Sequence, residues 1–463
     1  MTLEEYVLSL KDKKICFIGA GISNKPLIKL LLLSGHSVTV CDMREPEKLT
    51  LDDLSLISLG AKYKLGNNYL DDFHYDIVFR SPSFLPFHPV LEKAAKEGTV
   101  VTSEMEVFFQ LCPCKTIAIT GSDGKTTTST IISKLLAEEG YAVHLGGNIG
   151  NPLLCEIPLY GKNDIAVLEL SSFQLHSMNC SPDVSVITNI SPNHLDKHKD
   201  YTDYIEAKKQ IFFNQKPGSK LVLNANDSIC QSFSEEAVAD VHWFSDEYEI
   251  LNGCNFQNGT IYRTFNGEKS AVMNADEILL KGHHNILNYL AAIAATSGLV
   301  SDETCRKVAN TFKGVEHRLE FVDCIDGITY INDSIGTSPT RTIVGLHSLP
   351  VKPIVILGGY DKKIGFAELG SEVCRLAKAA VLTGDTADKI YDSIVSSECF
   401  PNSKLQLFRA DNLQEAVLIA KETAISGDIV LLSPACAAFD SFKNFEERGR
   451  VFKSIVSGLK KDG

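Results

Sequence analysis

Short apolar runs rich in valine and isoleucine alternate with longer stretches of helical period almost from end to end. That pattern predicts βαβ units around mostly parallel sheets, an α/β class. Residues 14–19 and 37–41 read as the first two strands, with a helix over 23–34 between them. A second series starts at 115–120 and continues through 165–170, 184–190 and 220–224. Gly/Asn-rich alternation over 253–272 predicts β-hairpins, and an Ala-rich helix follows over 285–297. A third series runs through 328–332, 354–357, 379–382, 405–408 and 429–432. Breaks at Cys112-Pro113-Cys114 and Gly314-Val315-Glu316 separate the series, so the expected domains are 1–111, 112–316 and 317–463.

Composition narrows the function classes. The 463 residues are 44% hydrophobic and 22% charged, enough apolar material for several cores, which excludes disorder and collagen-like architecture. A net charge of −13 argues against a general nucleic-acid or anionic-membrane surface. The N-terminus lacks a leader pattern, and the richest early apolar run, 26–34, is too short to span a bilayer and carries Lys29. A soluble, cytoplasmic protein without stable membrane insertion is expected. Thirteen cysteines are scattered singly, apart from Cys112 and Cys114, which suits reduced thiols better than a disulfide framework or a zinc ribbon.

The strongest local signal is Thr120-Gly121-Ser122-Asp123-Gly124-Lys125-Thr126-Thr127-Thr128, between a buried-type strand and a helix. Glycines let backbone N–H groups close around phosphate oxygens, the helix N-terminus adds positive potential, and Lys125 adds a full charge. Thr126 offers a hydroxyl to magnesium. The turn Gly19-Ala20-Gly21-Ile22-Ser23-Asn24, with Asp42 ending the next strand, is half of a dinucleotide fingerprint, with Asn24 in place of the third glycine. It leaves an NAD site, another nucleotide diphosphate or a plain βα turn open. Glu169, at the tip of an apolar strand, is placed to hold the nucleotide's magnesium, against the plainer reading of a helix N-terminal acid. His194 reads equally as a ligand or a structural hydrogen-bonder, and Lys208 reads by default as a solvated cation.

Taken together, the Thr-Gly-x-x-Gly-Lys-Thr loop, the Glu-Leu-Ser-Ser-Phe-Gln run at 169–174 and the Asn-x-x-x-x-His-Leu-Asp stretch ending at Asp196 resemble the Mur ligase family. So do the His-Asn-x-x-Asn start at His284, Asn285 and Asn288, and the His317-Arg318 pair. The resemblance spans essentially the whole chain. It implies a Rossmann-like N-terminal domain for a UDP-linked substrate, a central P-loop domain for ATP, and a Rossmann-like C-terminal domain for an amino acid. Asn332-Asp333-Ser334 with Thr337, Gly358-Gly359-Tyr360-Asp361-Lys362, and the segment 432–449 resemble the D-glutamate-adding branch, and no Asp-Asn-Pro-Arg acceptor motif occurs. The implied substrates are UDP-N-acetylmuramoyl-L-alanine and D-glutamate, joined with ATP and Mg2+ by a monomer that binds no nucleic acid. Another Mur-type or a folylpolyglutamate-type carboxylate-amine ligase is the alternative; a slow nucleotide-hydrolysing switch and an NAD oxidoreductase are rivals of other classes.

The resemblance assigns roles residue by residue. Ile22, Ser23, Asp42, Arg44 and Asn148 would hold the UDP substrate. Gly121, Ser122, Asp123, Gly124, Lys125, Thr126 and Thr127 would cradle ATP phosphates, Asn285 and Asn288 would flank adenine, and Arg318 and Asp333 would close over the nucleotide. Thr126 and Glu169 would hold one magnesium, and His194 and Lys208, the latter as a carbamate, would serve a second. Thr337, Lys362 and Phe445 would receive D-glutamate. Two departures stand out: Ile335 where many members carry a lysine, and Ala438 where a serine hydroxyl often meets the acceptor. Arg341, Lys443 and Lys363 are the side chains available to compensate.

Overall fold

The structure is a computed structural model that describes residues 1–149, 152–192, 197–280, 282–361 and 365–460. His194 and Lys362 lie outside the described residues. The chain packs as two compact units, Met1–Phe312 and Lys313–Gly463.

The first unit carries two sheets. Strands β1 (Ile15–Ile18), β2 (Val38–Asp42), β3 (Lys62–Leu65), β4 (Ile77–Arg80) and β5 (Val100–Thr102) form one sheet in the order 3-2-1-4-5. Every pairing in it is parallel. The second sheet comprises β6 (Lys115–Thr120), β7 (Val143–Gly147), β8 (Ile165–Glu169), β9 (Val184–Ile187), β10 (Lys220–Asn224), β11 (Asp240–Ser245), β12 (Gly253–Gln257), β13 (Thr260–Phe265) and β14 (Glu268–Asn274). Its order is 14-13-12-11-10-9-6-8-7. Pairing is parallel from β7 across to β12 and antiparallel through β12, β13 and β14, as the alternating Gly/Asn-rich stretch predicts. Strands β1, β4, β8 and β9 are buried at every position, which is why β1, β8 and β9 read as largely apolar runs rather than alternating ones.

The second unit holds β15 (Glu320–Ile325), β16 (Ile328–Asn332), β17 (Ile354–Leu357), β18 (Ala379–Leu382), β19 (Gln406–Arg409) and β20 (Ile429–Leu432), in the order 15-16-20-17-18-19. Only the β15–β16 hairpin is antiparallel. Helices cover both faces, and two apolar clusters centred on Tyr330 and Phe452, and on Leu357 and Leu382, fill the layers. All three sheets are thus parallel-dominated, as the α/β reading expects.

Where three segments read separately in the sequence, packing joins the first two. One continuous apolar cluster runs from Leu3 and Phe17 through Leu154 and Leu168 to Phe233, crossing the break at Cys112-Pro113-Cys114. Arg80, at the carboxyl end of β4 and 1% exposed, adds polar bonds across the same break. Its guanidinium donates to the carbonyls of Phe84 and Phe173 and to Ser177 Oγ. Among the described residues no helix is long and apolar enough to cross a membrane.

Candidate active site

Strand β6 lies between β9 and β8, and the carboxyl ends of all three bear polar residues. The loop leaving β6 enters the helix Lys125–Glu139 through Gly124, which is left-handed at φ +78°, and no side chain caps that helix. An uncapped N-terminus presents N–H groups and the positive end of the helix dipole. The glycines are dictated by their neighbours. A Cβ on Gly121 would stand 1.9 Å from Thr188 Oγ1, and one on Gly124 would stand 2.4 Å from Asn288 Oδ1. Thr188 also donates to the carbonyl of Asp123 (2.5 Å), while Asn189 accepts from Asp123 N–H (2.9 Å). Ser122 Oγ meets Tyr204 OH at 2.9 Å. The loop is therefore held from three elements before any ligand arrives.

Two lysines and one carboxylate concentrate charge here. Lys125 Nζ bends back onto the carbonyls of Gly121 and Ser122, both at 2.9 Å. Glu169, at the end of β8, is buried and accepts from Thr126 Oγ1 (2.7 Å) and Asn148 Nδ2 (2.9 Å). Gly147 has φ +97°, and a Cβ there would meet the Glu169 carbonyl at 2.3 Å, so the turn bearing Asn148 can sit against this strand only with glycine. The reading of Lys208 as a solvated cation is corrected: it is 2% exposed and donates to Gly121 O (2.7 Å) and Thr120 Oγ1 (3.2 Å). Burial, reinforced by Lys125, holds its ammonium well below the usual lysine range, so the neutral amine is favoured. The default for a lone lysine hid this, although Tyr204 and Ile211, four positions before and three after, put it on the buried face of Tyr201–Phe213.

The Ala-rich helix His283–Ala295 packs on Lys125–Glu139 and brings Asn285 and Asn288 to the loop. Asn288 Nδ2 donates to Asn285 Oδ1 (3.1 Å), and Asn288 Oδ1 accepts from Thr128 Oγ1 (3.2 Å). Nearby, His176, His198 and Asp203 place donor atoms within 4.8 Å of one another. Those atoms already bond each other: Asp203 faces His176 Nε2 at 2.9 Å and His198 Nδ1 at 2.8 Å, while His198 Nε2 meets Ser172 Oγ. The group thereby fastens the first turn of the helix that carries Lys208.

At the first sheet, the Gly19 turn is closed by Asn24, whose side-chain amide donates to Gly19 O (2.8 Å) and which directly precedes the helix Lys25–Leu33 without a side-chain cap bond to it. Asn24 thus does the closing that a third glycine would leave to backbone packing. Arg44 forks onto both oxygens of Asp42 (3.0 and 2.8 Å) and reaches Asp53 (2.9 Å). Burial pulls the Asp53 carboxyl upward, but Arg44 and the Thr50 cap outweigh it and bring it down to about 2. Ile22 is exposed and Ser23 partly so, both on the turn.

In the second unit, polar residues gather at the carboxyl ends of β16, β17 and β20. Asp333 is buried and accepts from Ser433 Oγ (2.6 Å) and Leu319 N–H (3.2 Å); burial, only partly opposed by these bonds, pushes it up to about 6. Arg318 is exposed between His317 and Leu319, both left-handed at φ +65° and +41°. His317 accepts from Asn332 Nδ2 at 2.9 Å. Ser334 Oγ donates to the Phe445 carbonyl (2.8 Å), which places Phe445 beside the turn that leads to Thr337. Arg448 is buried and unites the turns, donating to Ser334 Oγ and O and to the carbonyls of Cys436 and Ala437. A narrow cavity of about 70 Å³ opens beside them, lined by Gly358, Gly359, Thr383, Pro434, Asp440 and Arg448. Sequence reading gave no role to Thr188, Tyr204 or Arg80, and took Ser433 and Arg448 only as members of the segment 432–449, without a role of their own. Arg80 carried a local signal too, a charge closing an apolar strand.

Comparison with known proteins bears on the same resemblance. The Mur ligase middle domain model matches residues 119–296, and the Mur ligase, glutamate ligase domain model matches 317–436. The UDP-N-acetylmuramoylalanine--D-glutamate ligase of Clostridium acetobutylicum is 46% identical over 460 residues, covering 98% of this chain and 99% of that one. The protein of the same name from Acetivibrio thermocellus is 45% identical, covering 99% of each. Among solved structures, the UDP-N-acetylmuramate-alanine ligase of Thermotoga maritima aligns with a TM-score of 0.55 at 19% identity, over 97% of this chain and 100% of that chain, a likeness of fold. With both family models matched in order and near-complete coverage by relatives at this identity, the chain belongs to the Mur ligase family.

Proposed function

We propose that this chain is an ATP-dependent ligase that joins D-glutamate to UDP-N-acetylmuramoyl-L-alanine, releasing ADP and phosphate, in the cytoplasmic synthesis of peptidoglycan precursors. The observation that carries the reading is the cluster at the uncapped helix N-terminus. There Lys125, Thr126, Glu169 and Lys208 converge on one glycine loop, in a chain 46% identical over its length to a ligase of that name.

A carboxylate and an amine do not condense in water, because the departing oxygen is a poor leaving group. Phosphorylation by ATP converts the L-alanine carboxylate into an acyl phosphate, which the amine of D-glutamate then attacks with loss of phosphate. The loop N–H groups and Lys125 stabilise charge on the transferring phosphoryl group. Lys125 is poised for this: displacing its bonds to Gly121 O and Ser122 O frees the ammonium for a phosphate. The hydroxyl of Thr126 and the carboxylate of Glu169 are hard oxygen donors side by side, a set that suits Mg2+. When bound, Mg2+ neutralises phosphate charge. Lys208 is proposed as a carbamate, since its site favours the neutral amine that reacts with carbon dioxide. Asn285 and Asn288 are assigned to adenine, and Arg318 and Asp333 to the nucleotide.

The finer layout is part of the same proposal. Residues 1–111 form a Rossmann-like domain whose Ile22, Ser23, Asp42 and Arg44 hold the uridine diphosphate, with Asn148 reaching the same substrate. Residues 112–316 form the ATP domain, and 317–463 a Rossmann-like domain where Thr337, Lys362 and Phe445 receive D-glutamate. The enzyme works as a monomer. Phosphate release measured with UDP-N-acetylmuramoyl-L-alanine and a panel of D- and L-amino acids tests the assignment. D-glutamate alone is expected to stimulate release and to add one glutamyl residue to the product; stimulation only by a different acceptor overturns it.

A further inference from the structure

The sulfurs of Cys112 and Cys114 lie 3.6 Å apart, and Cys112 Sγ also faces the Cys114 carbonyl at 3.7 Å. The backbone between them is stiff. Cys112 ends the helix Glu104–Leu111 in an extended conformation, φ −61° and ψ 120°, as a residue before proline must. Pro113 then fixes its own φ near about −65°. Both flanks are anchored, by the helix on one side and by β6 on the other, so the two thiols are held together by the fold and not by chance rotation.

A second pair shows why position matters. Cys16 and Cys41 also have sulfurs 3.6 Å apart, but they sit on β1 and β2 with both side chains fully buried. No reagent reaches them in the folded protein. Cys112 is partly exposed, and the hydrogen bond from the Cys114 thiol lowers its pKa below the usual cysteine range, while the same bond and burial raise that of Cys114. The pair therefore divides into an accessible sulfur and a buried partner.

We propose that Cys112 and Cys114 form a modifiable dithiol, which a peroxide-class oxidant closes into an intrachain disulfide. Cys112 thiolate attacks one peroxide oxygen: an S–O bond forms, the O–O bond breaks, and the departing hydroxide takes a proton to become water. Cys114 sulfur then attacks the sulfenic sulfur of Cys112: the S–S bond forms, the S–O bond breaks, and the second water leaves with the Cys114 proton. Two thiols lose two electrons and the peroxide gains them; a small dithiol reverses the change by exchange. Cys114 directly precedes β6, and Lys115 at the start of that strand pairs with Ile165 at the start of β8. Ring closure thus acts at the root of the two strands whose far ends carry Thr120 and Glu169.

Tryptic digestion isolates the pair, because residues 97–115 contain both cysteines and no internal lysine or arginine. The full-length, reduced protein is treated with stoichiometric hydrogen peroxide, unfolded in alkylating reagent and digested. The 97–115 peptide is expected unalkylated and lighter by two hydrogens, while peptides bearing Cys16 and Cys41 remain alkylated; dithiothreitol restores two alkyl groups. A 97–115 peptide that stays doubly alkylated while other cysteines oxidise overturns the proposal, as does oxygen accumulating on Cys112 with Cys114 still alkylated. In Cys114→Ser the sulfenic acid is expected to persist on Cys112 and to be trapped by dimedone; trapping elsewhere overturns the assignment of Cys112 as the attacking sulfur.

Discussion

The glycine loop after β6 and the clustered turns of the second unit are built on opposite plans. The first is one contiguous stretch, Thr120 to Thr128, and its chemistry comes from backbone N–H groups, a helix end and one lysine. The second draws Asn332, Asp333 and Ser334 from one turn, Ser433, Cys436 and Ala437 from another about a hundred residues on, and Arg448 from the following helix. A contiguous loop takes its ligand-facing groups from one stretch, braced from outside by Thr188, Asn189 and Tyr204, whereas an assembled one needs a buried cation to bind its carbonyls together. Damage to the first should therefore fall on catalysis, and damage to the second on stability and acceptor binding.

The sharpest test of that contrast is Lys125→Ala. Losing a full charge from the transferring phosphoryl group should cost about 10³-fold or more in kcat, while binding of the UDP-linked substrate, followed by calorimetry, and the melting temperature stay near wild type. Loss of substrate binding as well would erase the distinction. Arg448→Met should do the reverse, leaving three carbonyls and the Ser334 hydroxyl without their donor in a dry site and lowering stability by about 3 to 4 kcal/mol, measured by denaturant melts. Arg448→Lys should recover only part of that and should raise KM for D-glutamate more than it lowers kcat. A third, smaller effect separates Asp333 from the exposed acids. Its folded carboxyl binds a proton more tightly than the unfolded one, with a pKa of about 6 against 3.8. Stability is thus fully present below about pH 4 and falls as pH rises through about 6, by up to about 3 kcal/mol. Asp333→Asn should therefore gain stability relative to wild type at pH 7.5 and lose that advantage near pH 4; a pH-independent difference would refute the burial account.

This contrast also explains what could be read from the chain in advance. Thr120 to Thr128 was legible because its requirements are local: a strand, glycines at fixed offsets, a lysine and a helix start. Strands β17, β18 and β20 were legible to the residue because burial on both faces leaves an unbroken apolar run. Lys208 and Arg448 were not, since residue type by default assigns a cation to water, although each shares the buried side of its helix with apolar residues three or four positions away. Glu169 was placed correctly at a strand tip, but its bonds to Thr126 and Asn148 depend on β7, β8 and β6 lying side by side. The short strands β3 and β5, with partly exposed faces, left too little pattern to notice.

Arg80 has a consequence for how the protein could be divided. Its guanidinium is satisfied partly by a carbonyl at position 173 and a hydroxyl at position 177, far beyond the sheet to which it belongs. A fragment ending at residue 111 would leave that cation with the Phe84 carbonyl alone, two of its three acceptors gone. The opening portion of the chain thus shares both its apolar cluster and this cation's bonds with residues that lie downstream of position 111.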